Sequence, residues 1–229
     1  MDLYSQHSKS IPQKLTIIAI ELLLLGFSYW ILFRGGGDTL LGKPEVQTLS
    51  GNQYSRGIIF AFSVIVFLRI NFTLFFLLKR KIPWEESISI PFAFALYYIG
   101  YALLAYGRTS PIDWLDFLAI FIFLTGSFLI TFSELQRHFW KQRPENKGKL
   151  FTRGLFGYAM HINYFGDLLW VMAYAMVTRS LWSVTIPLFL FCFFVFYNIP
   201  TLDAHLGQRY PKQFADYRKR TKRLIPFIY

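Results

Sequence analysis

The stretch Gly154-Leu-Phe-Gly-Tyr-Ala-Met-His-Ile-Asn-Tyr-Phe-Gly-Asp167 is polar, punctuated by glycine, and runs directly into an apolar segment. A helix starting near Asn163 puts Asn163, Asp167, Trp170 and Tyr174 at i, i+4, i+7 and i+11, one polar and aromatic stripe on a segment that enters a membrane. A carboxylate on a spanning segment is costly, so it faces the bundle interior or a wet cavity and marks a functional site. The alternative is that the Asn/Asp pair only caps the helix and complements its positive N-terminal end.

Working outward, the whole chain supports the membrane reading. It has 229 residues, 54% of them hydrophobic and only 16% charged, and it carries several apolar runs long enough to cross a hydrocarbon core. The first apolar run lacks a small-residue cleavage site and is read as a retained helix. Cys192 is the only cysteine, so disulfides and Cys-based metal sites are excluded, and His7, His138, His161 and His205 lack metalloenzyme spacing. No metal site is expected. The net charge of +11 would suit nucleic acid if it were clustered on a soluble face, but the basic residues lie in the loops, so no nucleic-acid partner is expected.

Six spans are expected. Leu15 to Phe33 is the first, interrupted by Glu21, which either faces the bundle interior or, near the end of the span, reaches the headgroups. The loop from Arg34 to Gly57, with Gly35-Gly36-Gly37 and Lys43-Pro44, reads as a flexible outer loop. Ile58 to Leu78 carries Arg69, for which Glu21 is the obvious ion-pair partner. Ile88 to Tyr106 carries Tyr97, Tyr98 and Tyr101, whose hydroxyls need polar surroundings. Trp114 to Phe132 exits into Ser133-Glu-Leu-Gln-Arg-His-Phe139 and a polar loop, Trp140 to Arg153. Tyr164 to Val177 and Leu181 to Ile199 are the last two spans, and the tail from Pro200 is basic and amphipathic, divided into two short helices at Pro211.

Alternate loops are unequal in charge: eighteen of the 24 Lys and Arg fall on one side and five on the other, with Arg69 within a span. Basic loops stay in the cytoplasm, so both termini, the Gly154–Asp167 segment and the tail are expected there. Lys147 to Arg153 and the tail bring two cationic segments beside the Asn163 stripe. Interleaved tyrosines and acids suit an anionic cofactor with an aromatic ring, while each basic residue by itself also suits anionic membrane lipids.

Gly-Leu-Phe-Gly-Tyr…Asn163-Tyr-Phe-Gly-Asp167…Ala173-Tyr-Ala, then Asp203…Tyr210…Phe214-Ala-Asp-Tyr217…Leu224-Ile-Pro-Phe-Ile-Tyr229, resembles the C-terminal domain of the steroid 5-alpha-reductase superfamily, including the sterol C14/C7-reductases. Ser133-Glu-Leu-Gln136 is similar to the Gln-containing segment that precedes the signature in that family. Isoprenylcysteine and phospholipid methyltransferases, which bind S-adenosylmethionine, share the architecture more distantly. Where the family commonly reads Arg-His-Pro-Asn-Tyr, this chain has Met160-His161-Ile162-Asn163-Tyr164, losing a cation and a proline.

The resemblance implies an all-α integral membrane protein with an N-terminal four-span substrate half, 1–132, and a C-terminal cofactor half, 133–229. It implies NADPH held by Asn163, Tyr164, Asp167, Asp203, Tyr210 and Tyr217, with Arg220 and Arg223 toward phosphate. Glu21 and Tyr98 are the catalytic candidates by residue type. The implied reaction is reduction of a carbon–carbon double bond in a sterol or other isoprenoid lipid. An S-adenosylmethionine-dependent lipid methyltransferase and a non-catalytic lipid-binding scaffold are the alternatives. The host membrane, a bacterial inner membrane or the endoplasmic reticulum, and the oligomeric state stay open.

Overall fold

In a computed structural model, residues 10–42 and 51–229 are described. The polar N-terminal stretch before Ser10, with His7 and Lys9, and the expected turn at Lys43-Pro44 lie outside them. The described residues form helices α1 (Ile11–Phe33), α2 (Gly36–Leu41), α3 (Gln53–Leu77), α4 (Trp84–Tyr106), α5 (Trp114–Gln142), α6 (Ile162–Thr178), α7 (Leu181–Arg209) and α8 (Pro211–Arg220). The extended pairing among them is a single isolated bridge, Ala159 with Lys222.

Five of these helices, α1, α3, α4, α5 and α7, are long and apolar enough to cross a membrane. The chain is an all-α integral membrane protein. The expected fifth of six spans is α6, whose 17 residues reach about 25 Å at 1.5 Å per residue, short of a full hydrocarbon core.

Helix boundaries differ from the apolar runs in ways that move polar residues. α1 begins four residues earlier than the run does, with Pro12 in its first turn, so Glu21 lies near the middle of the helix and is wholly buried rather than near the headgroups. α5 continues past Phe132 to Gln142, so Ser133, Glu134, Gln136, Arg137 and Lys141 ride on a helical extension of the span. Gly35-Gly36-Gly37 is not a flexible linker: Gly36 and Gly37 open the short α2, buried so closely against Trp30 and Tyr106 that a side chain at either would overlap those rings.

Three π-helical turns interrupt the long helices, at Thr73–Leu77, Leu96–Gly100 and Phe194–Asn198. Such turns shift the side-chain register and are frequent at functional sites. The Leu96–Gly100 turn carries Tyr97 and Tyr98.

The chain divides into two compact units, one of residues up to Ala119 with Tyr174–Ser183, the other Ile120–Ala173 with Val184–Tyr229. In the first, Arg108 donates to both carboxylate oxygens of Asp116, at 2.6 and 2.7 Å, and to Val177 O at 2.7 Å. Arg179 pairs with Asp113 and Asp116, and Arg56 donates to Tyr106 O at 2.9 Å while lying over its ring. Of the five cations assigned to the sparse side, three are therefore committed to internal bonds, which leaves that side with still less free positive charge.

The second unit is held by backbone approach and by its tail. Gly126 on α5 and Gly166 on α6 face each other so closely that a Cβ at Gly126 would lie 2.6 Å from Gly166 O. Gly166 is thus in the signature to let two helices touch. The tail returns to the signature segment: Met160 and His161 donate to Lys222 O and Arg223 O at 2.7 and 2.9 Å. The chain breaks at Pro211 as expected, but the first half of the tail is the end of α7 and not a separate short helix; Tyr210 is the joint between α7 and α8.

Candidate cofactor cleft and buried polar cluster

The second unit holds a cleft whose walls come from the α5 extension, the signature segment, α7 and α8. Three of the residues expected to bind cofactor line it: Asn163, Tyr210 and Tyr217. Arg137, Lys141 and Lys149 add positive charge, and Phe151, Phe156 and Met160 supply an apolar floor. Leu150 N donates to Gln213 Oε1 at 2.8 Å and Arg220 donates to Thr152 Oγ1 at 2.9 Å, so the two cationic segments do meet.

Each wall residue is held from behind. Asn163 donates to Glu134 Oε1 at 3.3 Å, and the other oxygen of Glu134 pairs with Arg137. Gln136 Oε1 accepts from Leu155 N at 2.9 Å, which fixes the loop where Gly154 takes a φ of 59° that favours glycine. Tyr217 donates its hydroxyl to Phe156 O at 2.5 Å, and burial pushes its phenol above the usual tyrosine range. Met160, which replaces the family's cation, packs with Phe214 and Tyr217 in an apolar cluster.

Other expected cofactor residues are placed elsewhere. Tyr164 is stacked between His161 and Phe194, at ring separations of 5.6 and 4.5 Å. Asp167 accepts from Trp170 Nε1 at 2.8 Å. The buried Asp203 has both oxygens engaged: Oδ1 with His161 Nε2 at 2.9 Å and Oδ2 with Arg223, whose Nε is at 3.1 Å. Arg223 is held above its ordinary range by a hydrogen bond with Tyr229 first and by Asp203 next, against the opposing cost of partial burial. Asp203 and Arg223 line a separate cavity beside α8. Glu134, Arg137 and Lys141 are not among the binding residues expected from the sequence; the Ser133-Glu-Leu-Gln136 resemblance is the available signal for the first.

The first unit carries the catalytic candidates. Glu21 and Tyr98 are both wholly buried, and neither Glu21 oxygen nor the Tyr98 hydroxyl has a hydrogen-bond partner. The Glu21 oxygens make no hydrogen bond to Arg69, the ion-pair partner expected from the sequence; Tyr98 lies within electrostatic reach of Glu21, Tyr174 and Arg69. Tyr174 bonds Ser63 Oγ at 3.2 Å and stacks on Tyr101. Among the described residues no His, Cys, Asp and Glu group could hold a metal.

The family model described as "Protein of unknown function (DUF1295)" matches residues 87–221. The chain is 31% identical over 134 residues to 3-oxo-5-alpha-steroid 4-dehydrogenase 2 of Sus scrofa, covering 57% of this chain and 50% of that protein. It is 36% identical over 85 residues to Delta(14)-sterol reductase erg24 of Schizosaccharomyces pombe (strain 972 / ATCC 24843), 35% of this chain and 20% of the other. It is 30% identical over 89 residues to Probable O-methyltransferase ustE of Ustilaginoidea virens, 38% and 31% respectively. The chain thus spans half or less of the length of these relatives.

Proposed function

The chain belongs to the steroid 5-alpha-reductase-like family DUF1295, and on that premise we propose that it reduces a carbon–carbon double bond in a steroid- or isoprenoid-type lipid, using NADPH. The observation that carries the reading is the pair of wholly buried, unpartnered groups on Glu21 and Tyr98. A buried polar group without a partner costs about 1–3 kcal/mol, so two of them within electrostatic reach of one another call for a ligand that satisfies both. A lipid that brings a conjugated carbonyl oxygen into this apolar cluster supplies the missing acceptor. Tyr98 would then give its proton to that oxygen, Glu21 would replace the proton on Tyr98, and the surrounding spans exclude water.

By its lining the cleft of the second unit suits the cofactor's charged groups; its volume of about 80 Å³ takes one part of a dinucleotide, and the rest would lie over the adjoining surface. Arg137, Lys141 and Lys149 offer cations for phosphates, and Asn163 and Tyr210 offer an amide and a phenol for the remaining polar edges. NADPH bound there supplies the hydride of the reduction. Asp203 and Tyr217 contribute by holding the cleft's walls, and Asp167, Tyr164, Arg220 and Arg223 support the segments around it. We assign the cleft to the cytoplasmic side because the loops on its side carry most of the free Lys and Arg.

Tyr98→Phe and Glu21→Gln test the reading with opposite effects on two quantities. NADPH-dependent reduction across a panel of lipid enones falls by about 10²–10⁴-fold on losing a group that transfers a proton. Melting temperature stays level or rises, because Tyr98→Phe deletes an unsatisfied hydroxyl. Quenching of tryptophan fluorescence by NADPH is unchanged. A Tyr98→Phe protein with full turnover would sink the assignment. So would wild-type protein that binds no NADPH.

The likeness to ustE supports a second reading, a methyltransferase using S-adenosylmethionine. Salt separates the two, since a multiply charged dinucleotide held by exposed cations loses affinity as salt rises, whereas a cationic sulfonium does not. Binding of S-adenosylmethionine alone, insensitive to salt, would favour the methyltransferase.

A further inference from the structure

The cavity between α7 and α8 is distinct from the cofactor cleft and has a volume of about 770 Å³, within the range of small-ligand sites. Pro200 and Phe214 give it an apolar wall, and Asp203, Arg218, Lys219 and Arg223 give it a charged one. The charges do not cancel. Both Asp203 oxygens are already engaged by His161 and Arg223. Arg218 and Lys219 are exposed and, within the described residues, their side chains make no hydrogen bond or ion pair. The cavity therefore presents two uncommitted cations beside a neutralised pair.

Its position on α7 decides what would fill it. The turn immediately before Pro200 exposes Phe196 and Tyr197. Beyond Pro200 the helix becomes polar, with Thr201, Asp203, His205, Gln208 and Arg209. The cavity thus lies where a membrane-crossing helix leaves its apolar part, at the level where exposed aromatic side chains meet headgroups. A ligand suited to this place has a phosphate for Arg218 and Lys219 and acyl chains that can run along the exposed aromatic turn.

We propose that this cavity binds the phosphate-bearing headgroup of an anionic membrane phospholipid. The site does not depend on the reductase reading, because none of its cations lines the cofactor cleft. A free dinucleotide shares the phosphate chemistry, and the experiment separates the two sources.

The test is native mass spectrometry of the 229-residue chain released from detergent micelles, with palmitoyl-oleoyl phosphatidylglycerol or phosphatidylcholine added. The wild type retains one phosphatidylglycerol in preference to phosphatidylcholine, whose choline cation offsets its phosphate, by about thirtyfold, the size expected for two cations at about 1 kcal/mol each. The double variant Arg218→Gln/Lys219→Gln loses that preference. Removing the same charge from the exposed loop, by Arg143→Gln/Lys147→Gln, leaves it intact. The charge-keeping swap Arg218→Lys/Lys219→Arg retains the preference, which separates loss of charge from misfolding of α8. Saturating NADPH does not displace the lipid. Three results would overturn the proposal: a preference that survives the α8 double variant, one lost equally in the loop variant, or displacement by NADPH, which would give the cavity to the dinucleotide.

Discussion

Replacing Asp203 by Ala distinguishes a residue that touches cofactor from one that holds the cleft together. Its side chain is 7% exposed and its partners are the His161 ring, 1% exposed, and Arg223, 30% exposed. Without Asp203, the His161 nitrogen loses its acceptor in a place water does not reach, at a cost of about 1–3 kcal/mol. Arg223 can turn to solvent, so breaking that pair adds only about 0–1 kcal/mol. The sum is about 1–4 kcal/mol, which lowers the melting temperature by roughly 2–16 °C for a chain of this length. Asp203→Asn keeps an acceptor for His161 and loses about half as much. Thermal melts in detergent, run with and without NADPH, measure both effects. If Asp203→Ala melts with the wild type yet no longer binds NADPH, Asp203 contacts the cofactor directly and its role as a strut is refuted.

Gly126→Ala places a Cβ 2.6 Å from Gly166 O and 2.8 Å from Trp170 N, and the forced separation of α5 and α6 costs about 1–3 kcal/mol; an unchanged melt would show that the helices yield there. Tyr217→Phe gives a pH signature. Burial raises the folded-state pKa of this phenol above its ordinary value of 10.0. The folded state therefore holds the proton after the unfolded chain has released it. Its stabilisation is complete below about pH 10 and is lost as pH climbs beyond. Melts between pH 8 and 11 should fall less steeply for Tyr217→Phe than for the wild type, while the variant starts lower at neutral pH by about 1 kcal/mol for the lost bond to Phe156. Parallel curves would refute the pH argument.

The spans were legible because hydrocarbon imposes one length on every crossing helix, and a run of about 20 apolar residues meets it. What composition could not show was where polar residues extend a helix. Ser133 to Gln142 reads as a loop leaving the membrane, yet it continues α5 and carries Glu134, Gln136, Arg137 and Lys141 to the cleft. The sequence leaves the depth of Glu21 open for the same reason, since the polar first turn of α1 does not count toward an apolar run. The register shift at Leu96–Gly100 leaves no compositional trace, although Tyr98 was chosen by residue type.

The site was legible as a set of residues and less so as a set of roles. Backbone pairing between 159–161 and 222–223 joins segments sixty residues apart, and no side chain in either announces it. Once that pairing exists, Asp203, His161 and Arg223 form its side-chain counterpart, Tyr217 braces Phe156, and Gly166 admits α5. Much of the signature is thereby occupied in holding the tail over the cleft. Besides His161 and Tyr217, which line the cleft but are bonded to Asp203 and Phe156, the polar or cationic side chains that line it are fewer: Asn163 and Tyr210 from the motif, and Arg137, Lys141 and Lys149 from outside it. Substitutions in the first set should therefore lower stability and cofactor affinity together, whereas Lys141→Gln or Lys149→Gln should weaken NADPH binding with the melting temperature unchanged.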